Sequence, residues 1–131
     1  MGVMGVGSFI AVGAGAALGA WLRWLLGMSF NTILPALPLG TLAANLIGGY
    51  LMGLTVGLFT LTTALTPEMR LLITTGFLGG LTTFSAFSAE SVTLITRGQY
   101  GWALAHAFLH VIGSLAMTGL GLITIQQILR G

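Results

Sequence analysis

The chain has 131 residues, of which 56% are hydrophobic, and it carries four arginines and two glutamates but no lysine or aspartate. So few charged groups cannot cover a water-soluble domain, and they form no basic patch that would bind nucleic acid. The absence of cysteine excludes disulfides, thiolate metal sites and sulfur nucleophiles. The composition therefore predicts a protein whose solvent is the lipid bilayer.

The predicted elements are helices that span the membrane, because each span needs about 20 mostly apolar residues. In chain order they cover about residues 6–28, 40–59, 67–97 and 102–126. Pro35 and Pro38 separate the first two spans, while Thr66 and Pro67 predict a capped start for the third. We therefore expect an all-α integral membrane protein in which residues 1–131 form one subunit with four transmembrane helices.

Small residues recur every fourth position along the second span, where Gly49, Gly53 and Gly57 form two overlapping small-xxx-small units. Such units predict close approach of helix backbones in lipid. Asn45 lies in the same row, and its amide donors need partners at mid-membrane. The residues alone leave two interpretations open for Asn45, namely an interhelical hydrogen bond and an anion ligand.

The third span is too long for an unbroken helix that crosses the bilayer upright. Residues 67–97 would extend about 46 Å at 1.5 Å per residue, against a hydrocarbon core of about 30 Å. Gly79 and Gly80, followed by two threonines, mark the point of poorest helix propensity. We expect a break there, with freed carbonyls between Gly79 and Thr83. The alternative is a loosely wound, glycine-rich helix packed against a neighbour.

Aromatic and hydroxyl side chains follow this glycine pair, with Phe84 and Phe87 in one row and Ser85 and Ser88 in the next. Hydroxyls donate hydrogen bonds to anions, and an aromatic ring is positive at its edge. These rows suit a small anion that sheds its water, although both phenylalanines could instead be ordinary packing residues. Glu90 follows, and an ionisable group within an apolar span indicates function.

The fourth span carries a polar row of His106, His110, Ser114 and Thr118, again at every fourth position. Two histidines on adjacent turns could bind zinc, but no carboxylate or cysteine lies near them in the sequence. Hydrogen bonds across helices, or the lining of a hydrated path, explain the row better. No set of nucleophile, base and carboxylate indicates an enzyme.

The arginines give the chain no preferred orientation in the membrane. Arg70 and Arg130 flank the side that holds both termini, and Arg23 and Arg97 flank the other side. Two against two leaves no positive-inside bias. The hypothesis is that the chain inserts both ways, so that two opposed copies pair about an axis in the membrane plane.

The third-span motif, GFLGGLTTFSAFSAE at residues 76–90, is similar to the signature of the Fluc (CrcB) fluoride channels. Residues 19–24 around Arg23, the pattern Pro-x-Gly-Thr-x-x-x-Asn of residues 38–45, and residues 110–114 match as well. The resemblance covers essentially the whole chain. One departure is Ala86, where family members commonly have threonine, so a role of that hydroxyl does not carry over.

The resemblance implies a fluoride-selective channel that exports fluoride passively from the cytoplasm, in a bacterial inner membrane, as an antiparallel dual-topology homodimer with two pathways. The implied pore residues are Asn45, Phe84, Ser85, Phe87, Ser88, Ser114 and Thr118. A structural Na⁺ at the dimer centre is implied on the backbone carbonyls of Gly79 and Thr82 from both subunits. The implied supporting residues are Arg23, Glu90 and His110.

Two other functions compete with this one. A small multidrug-resistance transporter also has four spans and opposed dimers, but its working carboxylate lies in the first span, where this chain has none. A proton-coupled exporter of that kind would here have to use Glu90. A non-conducting membrane scaffold would account for the glycine rows and leave the polar rows unexplained.

Overall fold

The computed structural model describes residues 5–130, and within that range it contains helices and no strands. The helices are α1 (Val6–Phe30), α2 (Leu39–Leu61), α3 (residues 67–81), α4 (Ser85–Thr96) and α5 (Tyr100–Arg130). The stretches long and apolar enough to cross a membrane are Val6–Phe30, Leu39–Leu61, Pro67–Thr96 and Tyr100–Arg130. The predicted all-helical class and number of spans are therefore confirmed, with bounds that differ by a few residues.

The start and end of the third span follow its sequence signals. The Thr66 side chain accepts a hydrogen bond from the Met69 backbone N–H at 3.2 Å, and Pro67 occupies the first turn, where its missing N–H costs nothing. After α4 the chain turns at Gly98, whose φ of 74° lies in the left-handed region that glycine adopts without strain. Both predicted helix ends are confirmed.

The third span is interrupted, as predicted, at the threonines that follow the glycine pair. Helix α3 begins as an α-helix, passes through a π-helical turn at Leu72–Leu78 and ends as an α-helix at Gly79–Leu81. The chain then leaves the helix at Thr82, with φ −84° and ψ 156°, and helical structure resumes at Ser85. The interruption therefore follows the glycine pair closely and begins within the expected range of residues 79–83.

Close contact between helices explains why Gly80 stays helical. A Cβ at Gly80 would collide with the backbone carbonyl oxygen of Ala16 on α1, and one at Gly76 would lie 2.9 Å from that of Val12. These glycines therefore let α3 lie directly against α1. At Gly76 and Gly80 the glycines therefore serve helix packing, and the helix continues through both positions.

The other glycine rows also bring backbones into contact. A Cβ at Gly53 of α2 would collide with the backbone oxygen of Thr118 on α5, and one at Gly15 of α1 would collide with that of Leu72. Gly19 makes an equally close approach to α3. The packing role predicted for the glycines of the second span is thus confirmed, and α2 lies directly against α5.

Candidate functional site

Asn45 of α2 supplies hydrogen-bond partners to the backbone of Thr83 at the interruption. Its Nδ2 donates to the Thr83 carbonyl at 3.0 Å, and its Oδ1 accepts from the Thr83 N–H at 2.8 Å. The second Nδ2 hydrogen is directed to His110 Nδ1, 3.0 Å away on α5. One amide therefore joins three elements, which corresponds to the first of the two interpretations left open for Asn45, an interhelical hydrogen bond.

Two backbone carbonyls lose their usual donors at the same interruption. In a continuous helix the N–H of Thr83 would pair with the carbonyl of Gly79, and that of Ala86 with the carbonyl of Thr82. Here the Thr83 N–H is taken by Asn45, and the Ala86 N–H donates to the side-chain oxygen of Thr83 at 3.0 Å. Gly79 and Thr82 are the two residues that the family resemblance marks for Na⁺.

Arg23 of α1 stabilises a third carbonyl in this region. Its Nε donates a hydrogen bond of 3.0 Å to the backbone oxygen of Gly80. A guanidinium at this position both satisfies the carbonyl and places positive charge beside the interrupted helix. This contact is compatible with the supporting role expected for Arg23, which stays a prediction.

Two open cavities of about 390 and 310 Å³ lie beside the interruption. The residues that line both are Asn45, Thr82, Ser114 and Thr118. Phe84, Phe87 and His110 also line the larger cavity, and Gly79 also lines the smaller one. The structure thus brings together side chains that are up to 73 positions apart, from Asn45 to Thr118.

Ser85 and Ser88 line neither of these two cavities. Ser85 is exposed, and its Oγ lies 3.3 Å from the Thr83 Oγ1. Ser88 is half-buried one turn further along α4. Their expected place in the pore therefore stays a prediction, separate from the residues that the cavities bring together.

The two phenylalanines form an accessible aromatic wall. Their ring centroids are 5.5 Å apart with planes at 46°, and the Phe84 residue is 77% exposed. The tilted arrangement keeps ring edges, which carry partial positive charge, available to a small anion. Thr118 lines the same cavity and donates to the Gly49 carbonyl at 2.9 Å, so its oxygen rather than its hydrogen is free.

Glu90 belongs to a polar cluster that the sequence analysis did not identify. Its Oε1 lies 3.0 Å from His106 Nε2, and its Oε2 accepts a 2.6 Å hydrogen bond from Thr41. His106 is fully buried, and its Nδ1 lies 3.0 Å from the Ser91 hydroxyl. The expectation that no carboxylate lies near the histidines holds only along the sequence. Glu90 and His106 are equally far from the turn at Gly98, so their contact follows only once the two helices are known to pair about that turn.

Glu90, His106 and His110 each offer one ligand atom within 4.8 Å of the others. A metal ion would need an unprotonated nitrogen from each histidine. The Asn45 amide donates to His110 Nδ1, so in the neutral imidazole the proton resides on Nε2. In this arrangement Glu90 and His106 are joined by a hydrogen bond, and His110 is bonded to Asn45, so the trio is not arranged as three metal ligands.

A family model described as CrcB-like protein, camphor resistance (CrcB), matches residues 10–122. A Nitrosospira multiformis protein named fluoride-specific ion channel FluC is 59% identical over 123 residues, or 94% of this chain and 96% of that protein. Proteins of the same name from Cupriavidus taiwanensis and Pseudomonas syringae pv. maculicola are 58% and 55% identical, over 95% and 92% of this chain and 99% and 95% of their own. The chain, a membrane protein with its polar residues gathered at an interrupted third span, therefore belongs to the CrcB-like family.

Proposed function

We propose that this chain is a fluoride-specific ion channel that exports fluoride passively from the bacterial cytoplasm across the inner membrane. The observation that carries the proposal is the agreement of two facts. Relatives more than half identical over nearly the whole chain are named fluoride-specific ion channels. The residues that line the larger cavity combine two phenylalanine rings with polar groups and include no formally charged side chain.

This lining suits fluoride on physical grounds. A small anion holds its water strongly, so a site that takes it up must replace that water with directed donors and partial positive charge. The edges of Phe84 and Phe87 supply such charge, and the Ser114 hydroxyl supplies a donor. Because no full positive charge faces the anion, it is not trapped, and conduction needs binding that is weak enough to release.

A proton-coupled exporter of the small multidrug-resistance type is not favoured. The relatives are named as channels, and the carboxylate that such an exporter would use is Glu90 in the third span. Both Glu90 oxygens already have hydrogen-bond partners, Thr41 and His106. Glu90 is therefore better explained as part of a fixed polar cluster than as a freely exchanging proton carrier.

The working unit that we propose is an antiparallel dimer with two pathways. One subunit leaves Phe84 77% exposed and both cavities open. A second copy would cover them, and the balanced arginines permit the two copies to insert in opposite orientations. A closed twofold pair is also the commonest form of homo-oligomer.

A structural Na⁺ at the centre of this dimer is a further part of the proposal. The carbonyls of Gly79 and Thr82 have lost their usual helical donors, as described above. Acceptors without donors are costly at membrane depth, and a cation satisfies several of them together. Two carbonyls from each subunit would give four oxygen ligands, the donor type that suits a hard cation.

Phe84→Ile and Phe87→Ile are each expected to lower fluoride flux roughly tenfold, because isoleucine fills space but has no positive ring edge. Fluoride efflux from liposomes containing each purified variant measures the effect. Phe108→Ile is the matched control, since Phe108 is 62% exposed on α5 and lines neither cavity. Parent-like flux in both cavity variants would show that these rings only fill space.

Purification without sodium is expected to lower the melting temperature of the protein, since a ligand bound only to the folded state stabilises it. The measurement compares thermal unfolding in sodium buffer with that in a buffer containing only a bulky organic cation. Returning sodium should restore the original melting temperature. Identical unfolding in rigorously sodium-free buffer would contradict a structural cation held by Gly79 and Thr82.

A further inference from the structure

We propose that the donor presented to the anion beside Asn45 is the Nε2–H of His110, and that Asn45 is a positioning residue. Asn45 then acts through His110, by directing that ring's proton to Nε2. This inference rests on the proposed function, because it names a fluoride contact in the same pathway.

The first step is that the amide of Asn45 has no free hydrogen. Its orientation is fixed by Thr83, whose N–H must face the amide oxygen and whose carbonyl must face the amide nitrogen. One Nδ2 hydrogen serves the Thr83 carbonyl, and the other serves His110 Nδ1 at 3.0 Å. An amide nitrogen carries two hydrogens, so neither remains for a passing anion.

The second step concerns the tautomer of His110. A ring nitrogen that accepts a hydrogen bond from an amide is unprotonated, and the neutral imidazole then carries its one proton on the other nitrogen. Nδ1 of His110 is the acceptor, so Nε2 is the donor. By donating to Nδ1, Asn45 leaves the proton of His110 on Nε2. The donor that remains free therefore lies on His110 of α5 and not on Asn45.

The third step is that this donor lacks a partner. Among the residues that the structure describes, His110 Nε2 is the buried side-chain atom without a hydrogen bond, and His110 is only 4% exposed. A buried N–H without an acceptor is costly, so it favours any acceptor that reaches it. His110 lines the larger cavity together with both phenylalanines and Ser114, so the acceptor available there is the conducted anion.

The surroundings of His110 set how an anion gains access. The rings packed against it are those of Phe87 and His106, with centroids 4.9 and 4.5 Å away, so one of them must turn aside. The carboxylate of Glu90 is the nearby negative charge, and donors from Thr41 and His106 already occupy its two oxygens. Because a Glu90 oxygen lies within 4.8 Å of a His110 ring nitrogen, its negative charge repels an anion there and disfavours long occupancy.

The direct test is nuclear magnetic resonance of isotope-labelled histidine in the lipid-embedded protein. The chain has two histidines, and a His106→Gln variant assigns their signals. We expect His110 to show a protonated Nε2 and an unprotonated Nδ1. Sodium fluoride should shift the Nε2–H signal in a saturable way, whereas sodium chloride at equal sodium concentration should not.

Two substitutions provide an independent readout in liposomes. In His110→Gln the side-chain oxygen can accept from Asn45 while the amide nitrogen keeps a donor, so flux should be partly retained. His110→Met removes the donor, and flux should fall about tenfold below that of the parent, since a hydrogen bond to an anion is lost. The melting temperature of His110→Met is expected to fall below that of His110→Gln, because methionine leaves the Asn45 amide without its acceptor.

The outcomes separate this inference from the proposed function. A protonated Nδ1, a fluoride-insensitive His110 signal, or equal flux in the Gln and Met variants would overturn the role of His110 while the parent still conducts fluoride. A parent that does not conduct fluoride would overturn the proposed function itself. In that case the Nε2–H tautomer would still be observed, because it depends only on Asn45.

Discussion

Replacing Asn45 by leucine is expected to abolish fluoride conduction and to lower thermal stability, because one amide serves three partners. The substitution leaves the N–H and carbonyl of Thr83 and the Nδ1 of His110 without their hydrogen bonds. Each buried polar group left unpaired costs about 1–3 kcal/mol. The geometry of the interrupted third span and the tautomer of His110 should both be lost, and the two phenylalanines should move with α4.

Fluoride efflux from liposomes and thermal unfolding measure the two effects of this substitution. Thr55→Val is the matched control on the same helix, since Thr55 is 8% exposed and its hydroxyl donates only to the Leu51 carbonyl of its own helix. The control should conduct like the parent. Parent-like conduction by Asn45→Leu would mean that Asn45 neither holds the interruption nor positions a donor.

Three lysines added after Gly131 are expected to fix most copies with that end in the cytoplasm and to suppress fluoride flux. The arginine count is two against two, so a few added charges decide the orientation. If one pathway needs two opposed copies, a population with one orientation assembles no complete pathway. The variant should therefore reach the membrane in normal amounts while conducting poorly.

A second variant with the opposite bias provides the control. Phe30 and Ile33 are exposed at the other end of the bundle, and lysines there favour the reverse orientation. Co-expression of the two variants should restore flux that neither shows alone. Full activity of the first variant by itself would contradict the antiparallel dimer.

Much of the fold could be predicted because its signals are local. Apolar length defined the spans, and the cap at Thr66 and the left-handed turn at Gly98 lie where the residue types require them. The glycine rows also predicted backbone contact, since only small residues permit it. Each of these inferences depends on residues within a turn or two of one another.

The details of the site could not be predicted in the same way because they depend on contacts between distant segments. The interruption lies at Thr82 rather than at the glycines, because Asn45 captures the Thr83 backbone while Gly80 packs against α1. The pairing of Glu90 with His106 likewise requires two helices to be placed side by side. Helix propensity carries no information about such partners.

The most direct test of the proposed function is fluoride efflux from liposomes that contain the purified protein, with chloride efflux as the control. The measurement is made at equal pH on both sides and again with a pH gradient. Passive conduction through a lining without fixed charge predicts fast fluoride efflux, no chloride efflux and no requirement for the gradient. Equal efflux of both anions, or fluoride movement that depends on the pH gradient, would contradict a fluoride-specific channel.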